Sequence, residues 1–343
     1  MNYSFKNDVY ANFTSSPTIF PENETDQLSV SDWVGVFLYI LVIILGVPGN
    51  GLVIWITAFD IKRSVNTVWF LNLAVADLLC CLFMPFTIMS LTLGHWPLGF
   101  YTCKVIPPIA SITMFASILL LTVISIDRCL LVVKPVWCQN KRTLGKAYVA
   151  CAVIWTLAIF FNIPSFIFWD INQSKKKDKC VYNYRIIRDK GDQRMEYSIT
   201  ICGLLTAYIL PLLVMVTCYT ILIIRVRKRF TQRTKIMKVV LVVIVGFFIC
   251  WLPYHVTGMI AVLNPEDSFT YKFHLDEIFI AFAFMNNCIN PIIYVVMGQD
   301  MKDRAKKSIR IILRNVLEEE ASQSRESRMK RLFGESRITE TSV

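Results

Sequence analysis

Seven long apolar stretches alternate with shorter polar ones along the chain, at roughly 33–59, 67–92, 104–133, 145–168, 198–224, 237–263 and 273–297. A helix needs about 20 mostly apolar residues to cross a ~30 Å hydrocarbon layer, and each stretch meets that length. The pattern predicts an all-α membrane protein, a bundle of seven transmembrane helices over residues 33–297, with a polar segment, 1–32, ahead of it. After it, Met301, Ala305, Ile309, Ile312 and Val316 recur at helical spacing, opposite Lys302, Arg304, Lys306 and Lys307. Residues 298–317 therefore read as a short amphipathic helix lying on the lipid surface, and 318–343 as a disordered tail. The count of helices does not choose among a receptor, a transporter and a channel.

Composition agrees: 55% of the 343 residues are hydrophobic and 18% charged, too few charges for a soluble domain of this length. The first apolar segment is too long for a secretory leader. Charge sets the expected orientation. The leading segment carries Asp8, Glu22, Glu24, Asp26 and Asp32 against Lys6, whereas Lys62 and Arg63 follow the first stretch. Lys134, Lys141, Arg142 and Lys146 follow the third stretch, and Arg225, Arg227, Lys228, Arg229, Arg233, Lys235 and Lys238 join the fifth to the sixth. The amino terminus is expected outside and the basic tail inside, in the plasma membrane. The loop 170–197 dissents with eight basic residues, but it also holds five acids. Glycosylation sequons at Asn2, Asn12, Asn23 and Asn172 all fall on the expected outer side. The net charge of +11 fits inner loops facing anionic lipid, and no basic patch with interleaved aromatics points to nucleic acid.

Eleven cysteines leave at least one unpaired. Most lie at membrane depth, where a thiol packs as a small apolar group. Cys103 and Cys180 lie on the expected outer side, where oxidising conditions make them the natural pair; two free thiols are the alternative. Polar groups at membrane depth are costly, so each is a functional candidate. Asp77 falls mid-way along the second stretch, with Asn50, Ser117 and Asn290 at comparable depth. A carboxylate among hydroxyl and amide groups is either a hydrogen-bonded polar core or that core with a site for a hard monovalent cation such as sodium. Pro211, Pro253 and Pro291 interrupt the last three stretches, each removing a backbone hydrogen bond and allowing a kink. Trp251, two residues before Pro253, reads either as a packed ring in a bent helix or as a rotamer relay.

"GN" in the first stretch, "LAVAD" in the second, a cysteine opening the third and "DRC" closing it, Trp155, "FFICWLP" and "NPIIY" occur in that order. Together they resemble the rhodopsin-like (class A) G protein-coupled receptors, over about residues 30–315. The resemblance implies that Arg128 contacts an incoming G protein, that Asp127 restrains it at rest, and that Tyr219 and Tyr294 swing toward it on activation. It adds Asn286 to the cation candidates Asp77, Ser117, Asn290 and Asn50, and Phe247 and Pro211 to Trp251 and Pro253 as the activation relay. The acid that many members place at the inner end of the sixth helix is replaced by Arg233, which implies a lightly restrained resting state. Ser322, Ser324, Ser327, Ser336 and Thr339 are phosphorylation candidates for arrestin recruitment, or else part of a solubilising tail. The terminal Thr341-Ser-Val343 also fits a carboxylate-reading PDZ domain.

"NTVWFLNLAVADLLCCL", "GHWPLGFYTCK", "CWLPYHVTG" and "YVVMGQD" are similar to the chemoattractant branch, anaphylatoxin and formyl-peptide receptors above all. The resemblance implies a protein or peptide chemoattractant, with the fragment of the fifth complement component favoured by the tail "LRNVLEEE". It also implies an inhibitory-class heterotrimeric G protein, chemotaxis and inflammatory signalling, and no enzymatic activity. Asp8, Glu22, Glu24 and Asp26 would attract a basic ligand body. Asp276 would pair with the ligand's terminal guanidinium, and Arg194 or a loop lysine with its carboxylate. The arginines expected in the pocket are replaced by Trp169 and Gly203. This leaves open another chemoattractant (the third-component fragment, a formyl peptide or a chemerin-like protein) or a non-signalling scavenger. No internal repeat argues for a transporter. His95, His255 and His274 are scattered, and no metalloprotease or serine-hydrolase motif occurs.

Overall fold

The computed structural model describes residues 29–60, 62–172, 178–183, 194–227, 234–263 and 277–297. Among the described residues each predicted stretch is helical, apart from a turn at Met285. α1 (Val30–Trp55) runs on through a π-helical turn, Ile56–Asp60; α2 spans Val65–Leu93 and α3 Gly99–Val133. A short α4 (Pro135–Lys141) leads into α5 (Leu144–Phe168), and β1 (Trp169–Asn172) pairs antiparallel with β2 (Lys179–Tyr182). The fifth span joins α6 (Arg194–Gly203) to α7 (Leu210–Arg227) across a π-helical turn, Leu204–Ile209. α8 (Thr234–Leu263) is the sixth, and α9 (277–284) with α10 (Asn286–Met297) forms the described part of the seventh. Asp8, Glu22, Glu24, Asp26, Asp276, Arg233, the sequons at Asn2, Asn12 and Asn23, the region 298–317 and the tail serines and threonines lie outside the described residues. So does any outcome for the roles expected of them.

Local chemistry places the helix ends. Ser29 caps α1 by accepting from the Asp32 N–H, and the Asp32 carboxylate accepts from the Ser29 N–H in return, a reciprocal box that satisfies two otherwise orphaned donors. Ser64 and Thr67 do the same for α2, which stops at Gly94 in the left-handed region (φ 65°).

Burial is inverted relative to a soluble bundle. Phe37, Ile44, Leu45, Val149, Phe160, Leu210 and Leu213 are exposed on the outside, while Asn50, Asp77, Ser117 and Asn290 are at or below 1% exposure inside. An apolar exterior around a polar interior suits a lipid solvent, where packing rather than hydrophobicity holds helices together. α3 is the central strut: half of its most apolar window is buried, against 22–39% for the other four spans of full length. It packs on α2, α5 and α7. At one end of α3 the disulfide Cys103–Cys180 (Cα–Cα 5.7 Å) ties it to β2, and Lys104 reaches the Ile167 carbonyl (3.0 Å) and Asp170 (3.9 Å). The opposite end carries Asp127 and Arg128.

Two of the proline-bearing spans carry a backbone irregularity ahead of the proline. Ahead of Pro211 the backbone accommodates the ring through the π-helical turn Leu204–Ile209, where the Leu210 N–H bonds back to the Leu205 carbonyl. In the seventh span a further interruption lies at Met285, ahead of Pro291: the Met285 N–H bonds Phe282 (3.1 Å) and the Cys288 N–H bonds Met285 (3.0 Å), tightening the chain between α9 and α10. Pro291 acts elsewhere. Having no N–H, it frees the carbonyl four residues back, at Asn287, and the Asn50 amide nitrogen takes that oxygen at 3.1 Å.

Candidate functional site

Three clusters line the bundle interior between the disulfide end and the Arg128 end. The middle one centres on Asp77. Its Oδ1 accepts from the Ser117 hydroxyl and its Oδ2 from the Asn290 amide, each at 2.6 Å. Asn50 donates to the carbonyls of Gly46 and Asn287, and Asn286 and Asn287 are buried alongside at 2% exposure. Asn50 Oδ1 and Asn290 Oδ1 are buried without a protein donor. The structure thus connects three of the five cation candidates, Asp77, Ser117 and Asn290, directly, while Asn50 is tied to the backbone of Asn287 and Asn286 is buried one turn before Asn290. Asp77, Asn50 and Asn290 could offer carboxylate and amide oxygens to a hard monovalent cation.

Toward the disulfide end lies an aromatic stack around Trp251. Trp251 and Phe247 of α8 are buried, at 2% and 0% exposure, with ring centroids 6.2 Å apart. Tyr208, carried on the π-helical turn, stacks on Phe247 (6.0 Å) and packs against His255 (4.9 Å). Trp251 Nε1, Tyr208 Oη and His255 Nε2 are all buried without a protein partner. Of the four relay candidates, Phe247 and Trp251 share this stack, through Tyr208 and His255, while Pro211 and Pro253 lie in the same two spans, two or three residues from Tyr208 and His255. Tyr208 and His255 were not picked out from the sequence; the signal was their distance of two or three residues from the prolines, which sets which face each presents.

The third cluster sits at the Arg128 end. Here the structure differs from the expected pair. Asp127 accepts both Arg142 Nε (2.7 Å) and Arg142 NH2 (2.9 Å), so its two oxygens are taken by the loop after α4 rather than by Arg128. Arg142 meets Asp127 with two nitrogens at once, a fork of guanidinium onto carboxylate that fixes orientation as well as charge. Arg128 instead donates NH2 to Asn66 Oδ1 (3.0 Å) and lies over the Phe70 ring (5.7 Å). Tyr219 shares a hydrogen bond with Ser125 (3.0 Å), one turn above Arg128. For Tyr294 and Arg194 the backbone alone is described. Asn66 and Arg142 were missed, since nothing in one-dimensional spacing links residues 66, 127 and 142.

At the disulfide end, Trp169 opens β1 and packs edge-on against Tyr182 (5.7 Å, 82°), while a Cβ at Gly203 would meet no atom within 4 Å. Asn172 is exposed at the end of β1, as a glycan acceptor must be. Trp155 donates Nε1–H to Asn72 Oδ1 (3.2 Å), joining α5 to α2.

Comparison with known proteins matches the same architecture. The profile of the 7 transmembrane receptor (rhodopsin family) fits residues 49–294. A receptor from Oryctolagus cuniculus named "C5a anaphylatoxin chemotactic receptor 1" is 45% identical over 322 residues, 91% of each chain. The Homo sapiens receptor of that name is 42% identical over 330 residues, 93% of each chain. The Rattus norvegicus one is 44% identical over 299 residues, 86% of this chain and 84% of its own. With seven apolar spans, a polar interior and a profile match running from the first helix to the last, the chain belongs to the rhodopsin family of seven-transmembrane receptors, a multi-pass membrane protein and not an enzyme.

Proposed function

We propose that the chain is a plasma-membrane receptor for a complement anaphylatoxin, the C5a fragment first, with its amino terminus outside, and that it activates an inhibitory-class heterotrimeric G protein. The observation that carries this reading is identity of 42–45% over nine tenths of the chain to receptors bearing that name. The matched region covers nine tenths of both chains, more than the helical bundle alone. Ligand approach is steered by the acidic leading segment. The terminal arginine of the ligand then enters the bundle toward Asp276, and the Trp251 stack passes its arrival to the Arg128 end. Phosphorylated tail serines recruit arrestin. Asp77 with its amide neighbours holds a sodium ion that favours the resting arrangement.

A second reading, a receptor for a different chemoattractant, is favoured by one observation. Trp169 and Gly203 replace the basic groups expected for a ligand carboxylate, with a ring packed on Tyr182 at one position and open space at the other.

The deciding experiment expresses the chain in receptor-free cells and measures G protein activation by C5a, by the third-component fragment and by a formyl peptide. Each complement fragment is tested with and without its terminal arginine. A response to C5a that weakens on arginine removal and with Asp276→Ala supports the reading. Silence to all three, with the receptor at the surface, overturns the ligand assignment and leaves the fold untouched.

A further inference from the structure

The Arg128 end holds two guanidiniums and one carboxylate, and their pairing crosses three elements. Arg142, one residue beyond α4, occupies both oxygens of Asp127. The same Arg142 NH2 also donates to Asn66 Oδ1. Arg128 donates to that same amide oxygen at 3.0 Å, and its Nε is buried without a protein acceptor. Asn66 stands in the first turn of α2, directly inside the Ser64–Thr67 capping box that fixes where the helix begins. The side chain is thereby aimed from a rigid turn, not from a loop.

From this we infer that Asn66 is the positioning residue that tethers Arg128, while Arg142 keeps Asp127 away from it. The tether replaces both restraints expected from the sequence, the neighbouring acid and the acid that Arg233 displaces. It is weak by construction. A neutral amide oxygen holds a guanidinium less firmly than a carboxylate does, and here one oxygen is shared between two like charges. Arg128 leaves Asn66 at small cost when a G protein offers it a better partner. The inference rests on the reading of Arg128 as the G protein contact.

Its test uses full-length receptor with an extracellular tag to count surface copies, and reads ligand-independent nucleotide exchange on an inhibitory-class G protein per copy. Asn66→Leu removes the acceptor and raises exchange by roughly fivefold, the factor for losing one net hydrogen bond. Asn66→Asp, nearly isosteric, converts the tether into a charge pair and lowers exchange below wild type. Arg142→Gln releases Asp127 to take Arg128 and also lowers it. A purely structural role would reduce surface copies in all three and leave exchange per copy unchanged. Movement of Asn66→Leu and Asn66→Asp in the same direction overturns the inference, as does an unchanged Asn66→Asp alone, should the leucine variant fail to reach the surface. Adding Arg128→Ala to Asn66→Leu returns exchange to the background. If raised exchange persists in that double variant, the role assigned to Arg128 fails, while the effect of Asn66 stands.

Discussion

Asp77 is surrounded by groups that both donate to it and leave oxygens over. Ser117 and Asn290 each reach its carboxylate at 2.6 Å, yet Asn50 Oδ1 and Asn290 Oδ1 have no protein donor. The proposed sodium ion would satisfy those oxygens. Agonist affinity is therefore expected to fall when sodium replaces an organic cation in a competition assay, and Asp77→Asn should abolish that dependence; an equal sodium effect in the variant would remove the ion from the picture. At the same scale Tyr219→Phe deletes one hydroxyl from the Ser125 contact. It is expected to lower maximal ligand-driven G protein activation while leaving ligand affinity within about twofold, since one hydrogen bond far from the ligand end is lost. Asp77, Ser117 and Asn290 were legible in the sequence because a polar residue in an apolar run is conspicuous by cost alone. Asn66 and Arg142 were not, because both lie near chain segments where polar residues are ordinary.

At the scale of elements, small residues decide how closely helices approach. A Cβ on Gly46 would meet Cys81 Sγ at 2.5 Å, and one on Gly49 would meet Pro291 Cγ at 2.9 Å, so α1 packs on α2 and α10 through bare backbone. Gly46→Val is expected to cost about 1–3 kcal/mol by overpacking, seen as a lower melting temperature in detergent. Cys81→Ala in the same chain should recover part of the loss; no recovery would show that the contact is not the cause. Helix extents followed from the hydropathy pattern to within a few residues: the third stretch, expected from 104, begins at Gly99, and the fourth, expected from 145, begins at Leu144. The π-helical turn before Pro211 and the tightened turn at Met285 were not readable. A proline announces that a hydrogen bond is missing, but neighbouring helices determine how the backbone absorbs the loss.

Over the whole molecule, the disulfide Cys103–Cys180 and the Lys104 contacts close one end of the bundle, while the Asp127–Arg142–Asn66–Arg128 network spans the other. The double variant Cys103→Ser with Cys180→Ser is expected to keep its helical circular dichroism in detergent, because each span satisfies its backbone hydrogen bonds within itself, yet to lose most ligand binding as β1 and β2 detach from α3. Retained binding would mean that the hairpin is not part of the ligand's seat. The sequence by itself determined the fold class, the number and approximate extent of the spans and the depth of the polar residues, because the bilayer imposes length and polarity rules that act on each segment alone. Only the tertiary structure decided which polar residues meet. Asp127 pairs with Arg142 and Arg128 with Asn66 because partner choice depends on the direction of side chains from separate helices, a quantity that no single segment contains.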